Sequence, residues 1–391
     1  MVGEFLRWVK DLELHLNSEG DFDLAGSAVR EPTERLLRVL SRVSPEQFID
    51  GIHSPNQWGN EALVRAIARK YGVSSNNVVL TTGASLSMWL VCYALLRDWA
   101  REVGRGETNV AVVESPTYPP LIDTPAYVLG ASPKRIDRDP ESFGLTADQL
   151  TRNKKGYVVG PQTRLIVISN LHNPTGTYTP EEELKKISEK VRSLAGDDAR
   201  ILIDETFLDA VSPPLRSAVH LGNNFISIGS LSKIYGLGVL RCGWIIASDE
   251  RDIEAIKTAY VVSENIGSGL TEFLASLVFA NIDYFHEHWR EVSEYNRKLL
   301  SDIIHPLLQE GLIGGEIPSH GCLYFPKLRV RDGGDDFVRN LAEKRSVYVA
   351  PGHFFCSGSS MFNDHIRIGI GGRSDKVQDG LSALAMQLRS L

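Results

Sequence analysis

Phe225-Ile-Ser-Ile-Gly-Ser230-Leu-Ser-Lys233-Ile-Tyr-Gly-Leu-Gly-Val-Leu-Arg241-Cys-Gly243-Trp-Ile-Ile-Ala247 sets a lysine and an arginine between two apolar runs. Each run is short and continuous, the mark of a strand buried on both faces. A lysine followed by glycines and then an arginine suits an amine that forms an imine with an aldehyde. Imine formation needs an uncharged nitrogen, so such a lysine must sit where burial or nearby positive charge lowers its pKa. Most lysines are solvated surface charges. The meaning of Lys233 therefore depends on what stands elsewhere in the chain.

Working outward, the same kind of run recurs. Val78-Val-Leu-Thr-Thr82, Asn109–Glu114, Arg164–Ser169 and Arg200–Asp204 read as strands, and Glu61–Tyr71 and Ser85–Arg101 as helices. Buried strands with helices between them predict an α/β fold, a mostly parallel sheet covered by helices. Residues 251–300 read as long helices, including Tyr284–Leu300. The last part changes character. Gly321–Phe325, Ser346–Ala350 and His365–Gly369 are short strands, with helices over Asp335–Lys344 and Ser374–Leu391. The expected organisation is an amphipathic opening helix and crossing segment over 1–45, a large domain over 46–285 and a smaller C-terminal α/β domain over 286–391. The turn-rich stretch Asp23–Pro32 is the crossing loop.

Bulk properties bound the function. At 391 residues the chain suits two domains, and 42% hydrophobic with 23% charged residues is ordinary globular composition. A net charge of -7 with scattered Lys and Arg argues against a nucleic-acid surface, which wants a concentrated basic face. Cys92, Cys242, Cys322 and Cys356 lie far apart with no C-x-x-C pair, so free thiols in a reducing compartment are expected and no metal site is. Charges interrupt the apolar positions of residues 1–20, and no apolar run is long enough for a membrane span. The expectation is a cytoplasmic enzyme with no membrane partner.

Polar residues gather at the strand ends, where an open parallel sheet binds ligands. After one strand, Gly83 allows a tight turn that aims the N–H groups of Ala84 and Ser85 at an anion; a simple capped turn is the alternative. Tyr118, held between Pro116 and Pro119, is a rigid aromatic that could stack on a flat ring or merely shape a turn. Asn170-Leu-His-Asn173-Pro-Thr-Gly176 follows a strand and turns sharply. Asp204 ends a strongly apolar strand, where a carboxylate is costly unless it meets a positive group. Arg367 lies on a short strand late in the chain.

Taken in order, these segments resemble the class I/II aminotransferase family of fold-type I pyridoxal-phosphate (PLP) enzymes. The resemblance implies PLP as cofactor, linked to Lys233. Asn173 of the Asn-Pro-Thr-Gly motif would donate to the phenolate oxygen of PLP, and Asp204 would pair with the pyridine nitrogen. Gly83, Ala84, Ser85, Ser230 and Arg241 would hold the phosphate, with Tyr118 and Phe207 against the ring. Gly26, Asn173 and Arg367 would meet the substrate, Arg367 clamping its α-carboxylate. A homodimer is implied as well. Two positions depart from the pattern. Phe207 stands where many members have a tyrosine that donates to the ring oxygen. In Ile52-His-Ser-Pro-Asn-Gln-Trp58-Gly59, His53 or Ser54 occupies the region of the usual cross-subunit tyrosine.

The implied reaction is transamination between an L-amino acid and a 2-oxo acid. Lys233 holds PLP as an internal aldimine, then acts as general base with Asp204 keeping the ring an electron sink. The alternative is elimination, replacement or cyclisation of a modified amino acid. The Asp23-Leu-Ala-Gly-Ser-Ala-Val region and the missing tyrosine look loosely like the branch that contains capreomycidine synthase. A non-catalytic PLP-binding module is a weaker reading, because the segment before residue 45 is too short and acidic for a winged helix. Trp58, Tyr260, Tyr324 and Phe354 either line the substrate pocket or belong to the core.

Overall fold

Four apolar runs of the central sheet are buried along their whole length, because helices cover both faces. The computed structural model describes residues 3–16, 20–53, 57–104, 106–153, 156–330, 333–356 and 361–391. Its main sheet contains β1 (Val78–Thr81), β2 (Glu107–Ser115), β3 (Ser132–Asp137), β4 (Leu165–Ser169), β5 (Arg200–Asp204), β6 (Phe225–Ser230) and β7 (Gly243–Ala247). The seven strands lie in the order β1-β7-β6-β5-β4-β2-β3. On one face, Leu90 and Leu96 of helix Ala84–Leu96 and Ile253 and Ile256 of helix Glu250–Ser263 pack on Val113, Val167, Leu202 and Ile245. On the other, Leu184, Ile187 and Val191 of helix Glu181–Ala195 meet Val112, Ile166, Ile201 and Ile203.

The sheet is mostly parallel, with one exception. Strand β7 runs antiparallel to both β6 and β1. Its connection to β6 is the Lys233 loop alone, with no crossover helix, and a strand that returns without a crossover must come back antiparallel. The register pairs Gly243 with both Ser230 and Thr81, and Ser169 with Asp204. One sheet edge therefore collects Thr81, Ser115, Ser169, Asp204, Ser230 and the start of β7.

Residues 119–137 and 181–195 carry structure that the sequence reading left unassigned. Tyr118 caps a helix over Pro119–Leu129, with proline at the first helical position, where a missing N–H costs nothing. Strand β3 is the sheet edge, and of its Ser-Pro-Lys-Arg-Ile-Asp sequence only Pro133 and Ile136 are buried. An edge strand of this composition carries no long apolar run to read.

Toward the C-terminus, Leu323–Tyr324, Ile366–Gly369 and Ala350–Pro351 form a three-stranded sheet, flanked by helices Ile282–Gln309, Gly334–Arg345 and Ser374–Arg389. The opening segment joins this region. After helix Glu4–His15, Phe22–Asp23 pairs in parallel with Val347–Tyr348. Residues 24–30 then run as a strap held by main-chain bonds. Gly369 N donates to Leu24 O at 2.7 Å, Arg30 N to Gly371 O at 2.7 Å, and Val29 N to Lys233 O at 2.9 Å. The approach is so close that a Cβ on Gly369 would lie 1.7 Å from Gly26 O. Among the described residues, no helix is long and apolar enough to cross a membrane.

Candidate functional site

The strand-end edge opens into a cavity of about 210 Å³ lined by Asp204, Asn173, Lys233, Arg241 and Tyr118, among others. Ala84, Ser85, Phe207 and Ser230 also line it, so residues far apart in sequence meet in one place. Lys233 stands on the link between β6 and β7, and its Nζ donates to Ser27 Oγ at 2.8 Å. Burial, then the positive charge of Arg367, pushes its pKa down to about 8. That is the direction an amine needs to act as a nucleophile or base near neutral pH.

Asp204 ends β5 with its carboxylate facing the cavity. Thr206 donates to Oδ1 through its backbone N–H at 3.0 Å and through its hydroxyl, which orients the group. Burial nevertheless raises the Asp204 pKa, against the lowering influence of those bonds and of Lys233. The other carboxylate oxygen faces a cavity in which a cation would relieve that cost.

An anion cradle lies at the opposite end. Gly83 has φ 109° and precedes helix Ala84–Leu96, whose first N–H groups have no partner within the helix. A Cβ on Gly83 would lie 2.7 Å from Arg241 Nη2. Arg241 itself sits at φ 45°, an uncommon conformation for a residue with a Cβ. Its guanidinium donates to Thr82 O at 3.0 Å and meets no carboxylate within ion-pair distance among the described residues. Guanidinium, helix N-terminus, Ser85 and Ser230 thus converge without a negative group between them.

Arg367 lies behind the cavity wall. It is 2% exposed, and Nη1 donates to Asn173 Oδ1 at 3.1 Å while Nη2 donates to Ala25 O at 2.5 Å. Its buried Nε has no hydrogen-bond partner among the described residues. Burial pushes its pKa down to about 10. A buried cation with an unused donor is built to take a carboxylate. Gly26 does not line the cavity; it lies on the strap, its N–H bonded to Asp23 Oδ1 at 2.9 Å. Tyr118 lines the cavity and forms a T-shaped pair with Phe5, ring centroids 5.9 Å apart, and burial raises its phenol pKa to about 12.

None of the four candidate pocket aromatics lines this cavity. Tyr260 and Tyr324 are core residues, and Trp58 is half-exposed beneath Lys257. Phe354 lines a separate apolar cavity with Trp8. His53 bonds back to Ile49 O at 2.9 Å, and Ser54 lies outside the described residues.

Several supporting residues escaped the sequence reading. Glu114, at 0% exposure, accepts from Arg138 Nη2 at 2.6 Å, Ser169 N at 2.6 Å and Thr117 Oγ1 at 3.1 Å. This pair ties together the ends of β2, β3 and β4 beneath Tyr118 and Asn173. The signal that singled out Asp204, a carboxylate ending an apolar strand, stands equally at Glu114. His172, next to Asn173, bonds Thr175 Oγ1 at 2.7 Å and Pro116 O at 2.8 Å. Burial, reinforced by Arg138, holds it well below the usual histidine pKa, so it is a neutral brace. Ser27 gave no signal at all, because its partner is a lysine more than two hundred positions away.

PLP has a phosphate, a basic ring nitrogen, a phenolate oxygen and an aldehyde. The residues fit all four: an anion cradle without an anion, a buried carboxylate short of a cation, an amide on the cavity wall and a depressed lysine. Known proteins point the same way. The chain is 27% identical to capreomycidine synthase of Streptomyces vinaceus over 376 residues, covering 94% of this chain and 89% of that protein. It is 26% identical to histidinol-phosphate aminotransferase 1 of Dechloromonas aromatica, covering 82% and 83% respectively. A PLP-dependent aminotransferase from Streptococcus suis shares the fold, with a TM-score of 0.82 at 23% identity over 99% of this chain and 98% of that one. Residues 50–384 match the aminotransferase class I and II family, and the chain belongs to it as an enzyme that works with PLP.

Proposed function

We propose that this enzyme transfers an amino group between an L-amino acid and a 2-oxo acid. One observation carries the reading: Lys233, Asp204, Asn173 and Arg241 converge on a single cavity, with Arg367 bonded directly behind it. Bound there, PLP supplies an aldehyde that links to amines and a ring that takes up electrons released at the substrate α-carbon. The chain does the rest. Arg241, Ser85, Ser230 and the Ala84 N–H hold the phosphate, with Gly83 leaving them room. Asp204 keeps a proton on the ring nitrogen, Asn173 donates to the ring oxygen, and Tyr118 lies against the ring. Arg367 orients the substrate through its α-carboxylate beside Gly26. Lys233 Nζ carries the cofactor, and once displaced by the substrate amine it removes the α-proton.

A second reading keeps these steps and changes the last one. Similarity to capreomycidine synthase over nearly the whole chain favours loss of a β-substituent and ring closure on a modified amino acid. The two separate in a single-turnover reaction of the PLP-loaded enzyme with pooled amino acids. Conversion of the cofactor to its amine form with release of a 2-oxo acid is the expected result. Ammonia release or a cyclic product with the aldehyde form retained establishes the second reading instead.

Phe207 is 5% exposed and lines the cavity where a tyrosine would donate to the ring oxygen. Without that donor the protonated form of the lysine-linked cofactor is favoured. Phe207→Tyr should lower the midpoint of its pH-dependent absorbance change by roughly one unit, the worth of one hydrogen bond to a charged acceptor. Superimposable titration curves would contradict this role.

The proposed assembly is a homodimer. Val239 (64% exposed), Val261 (46%), Val262 (77%), Ile266 (49%) and Leu270 (48%) are large apolar residues left to solvent. The turn Gly238–Leu240 before Arg241 packs against helix Gly269–Ala280, which places Val239 and Leu270 on neighbouring elements next to the Arg241 end of the cavity. All four cysteines are free and buried, which suits the cytoplasm as the proposed location.

A further inference from the structure

We propose that Ser27 is a positioning residue for Lys233, receiving its amine whenever the amine is not joined to the cofactor. The inference rests on the PLP reading of the cavity. Ser27 is 8% exposed, and its hydroxyl lies 2.8 Å from Lys233 Nζ. Three anchors hold the backbone that presents this hydroxyl. Val29 N, two residues on, donates to the Lys233 carbonyl at 2.9 Å. Ala25 O, two residues back, accepts from Arg367 Nη2 at 2.5 Å. The Ser27 carbonyl itself accepts from Cys322 Sγ at 3.6 Å. The strap cannot move residue 27 away from Lys233 without breaking the bond to the lysine's own carbonyl.

The chemistry of the partner matters more than its presence. The groups that face Lys233 are Arg367 on its strand, Cys322, Asp204 at the end of β5 and Arg241 beyond the loop. A carboxylate in direct contact would hold the amine as an ammonium ion, useless as base or nucleophile. Among the described residues Lys233 has no such ion pair, Asp204 acting on it only at longer range. A serine hydroxyl accepts from the ammonium and donates to the free amine equally well. It can fix the position of Nζ in both protonation states without choosing between them. Burial and two arginines then set the protonation balance, and the hydroxyl sets the place.

This predicts a defect in position, which shows in the covalent step. In that step Nζ attacks the cofactor's aldehyde carbon with its lone pair. The carbonyl oxygen leaves as water with the two amine protons, and a carbon–nitrogen double bond takes the place of the carbon–oxygen one. In cofactor-free protein mixed with PLP, Ser27→Ala should slow this step by about tenfold or more, since a misplaced reacting atom costs up to about a hundredfold. Non-covalent PLP affinity, measured on Lys233→Ala and on the double variant S27A/K233A, should be equal. Ser27→Thr keeps the hydroxyl and should restore the rate to within about threefold, a change under 1 kcal/mol. In turnover, Ser27→Ala should lower kcat while KM stays within about twofold, because the amine acts after substrate binds. An unchanged covalent rate in Ser27→Ala would overturn the inference, as would a rate not restored by threonine. Failure of the wild-type protein to be labelled on Lys233 by PLP and borohydride is a different outcome. It would remove the PLP reading itself, and this inference with it.

Discussion

Lys233→Ala abolishes the covalent link to PLP and lowers turnover by at least about a thousandfold. A positioned general base is worth roughly 10²–10⁴ in rate, and here the same nitrogen also carries the cofactor. The variant should still fold, because among the described residues Nζ makes one hydrogen bond, to Ser27, while the loop is held by backbone bonds such as Leu231 N to Cys242 O at 3.1 Å. It should still bind PLP reversibly, since the anion cradle and Asp204 are untouched. Borohydride reduction followed by mass measurement checks this directly, with the wild-type chain gaining the mass of reduced PLP and the variant gaining none. A covalent adduct or the wild-type absorbance band in the variant would overturn the assignment of this lysine.

Glu114→Ala should destabilise the fold by about 3–5 kcal/mol, the cost of removing one partner from a buried ion pair. Arg138 is 3% exposed and gives Glu114 both Nε, at 2.9 Å, and Nη2, at 2.6 Å. Its remaining bonds, to Phe143 O at 2.8 Å and Ser169 O at 3.4 Å, cannot neutralise the charge left behind. Urea unfolding of the cofactor-free protein gives the loss as a lower midpoint. Adding Arg138→Met removes the stranded charge and should recover much of the stability, as apolar replacement of buried pairs commonly does. A loss below about 1 kcal/mol, the range of exposed pairs, would show that Arg138 finds water or another partner.

What could be read in advance were places rather than contacts. Runs such as Leu165–Ser169 and Arg200–Asp204 announce themselves because strands covered on both faces must be apolar throughout. Polar residues that end such runs then stand out, as Asp204 does, and Asn173 was visible through the Asn-Pro-Thr-Gly turn that follows one of them. Strand β3 was not, because an edge strand needs little apolar surface and Ser132–Asp137 has little. The antiparallel direction of β7 was within reach, since no crossover helix fits between Ser230 and Gly243, yet its apolar run looks like those of the strands that pair in parallel. The strap was out of reach for a different cause. It is held by amide and carbonyl groups, which every residue has, so nothing in residues 24–30 announces what they touch.

That manner of attachment divides the freedom to change unevenly between the two sides of the strap. Leu24, Ala25 and Val29 are buried and must stay apolar, but the path between them is set by main-chain bonds, so residue 27 could be exchanged with that path preserved. The facing strand has no such latitude, because any Cβ at Gly369 would displace the Gly26 carbonyl, and one at Gly371 would come within 2.0 Å of Ala28 O. The position beside the lysine amine is thus a socket of fixed location and variable content. New chemistry at residue 27 can be tried one substitution at a time, while the frame that presents it stays where it is.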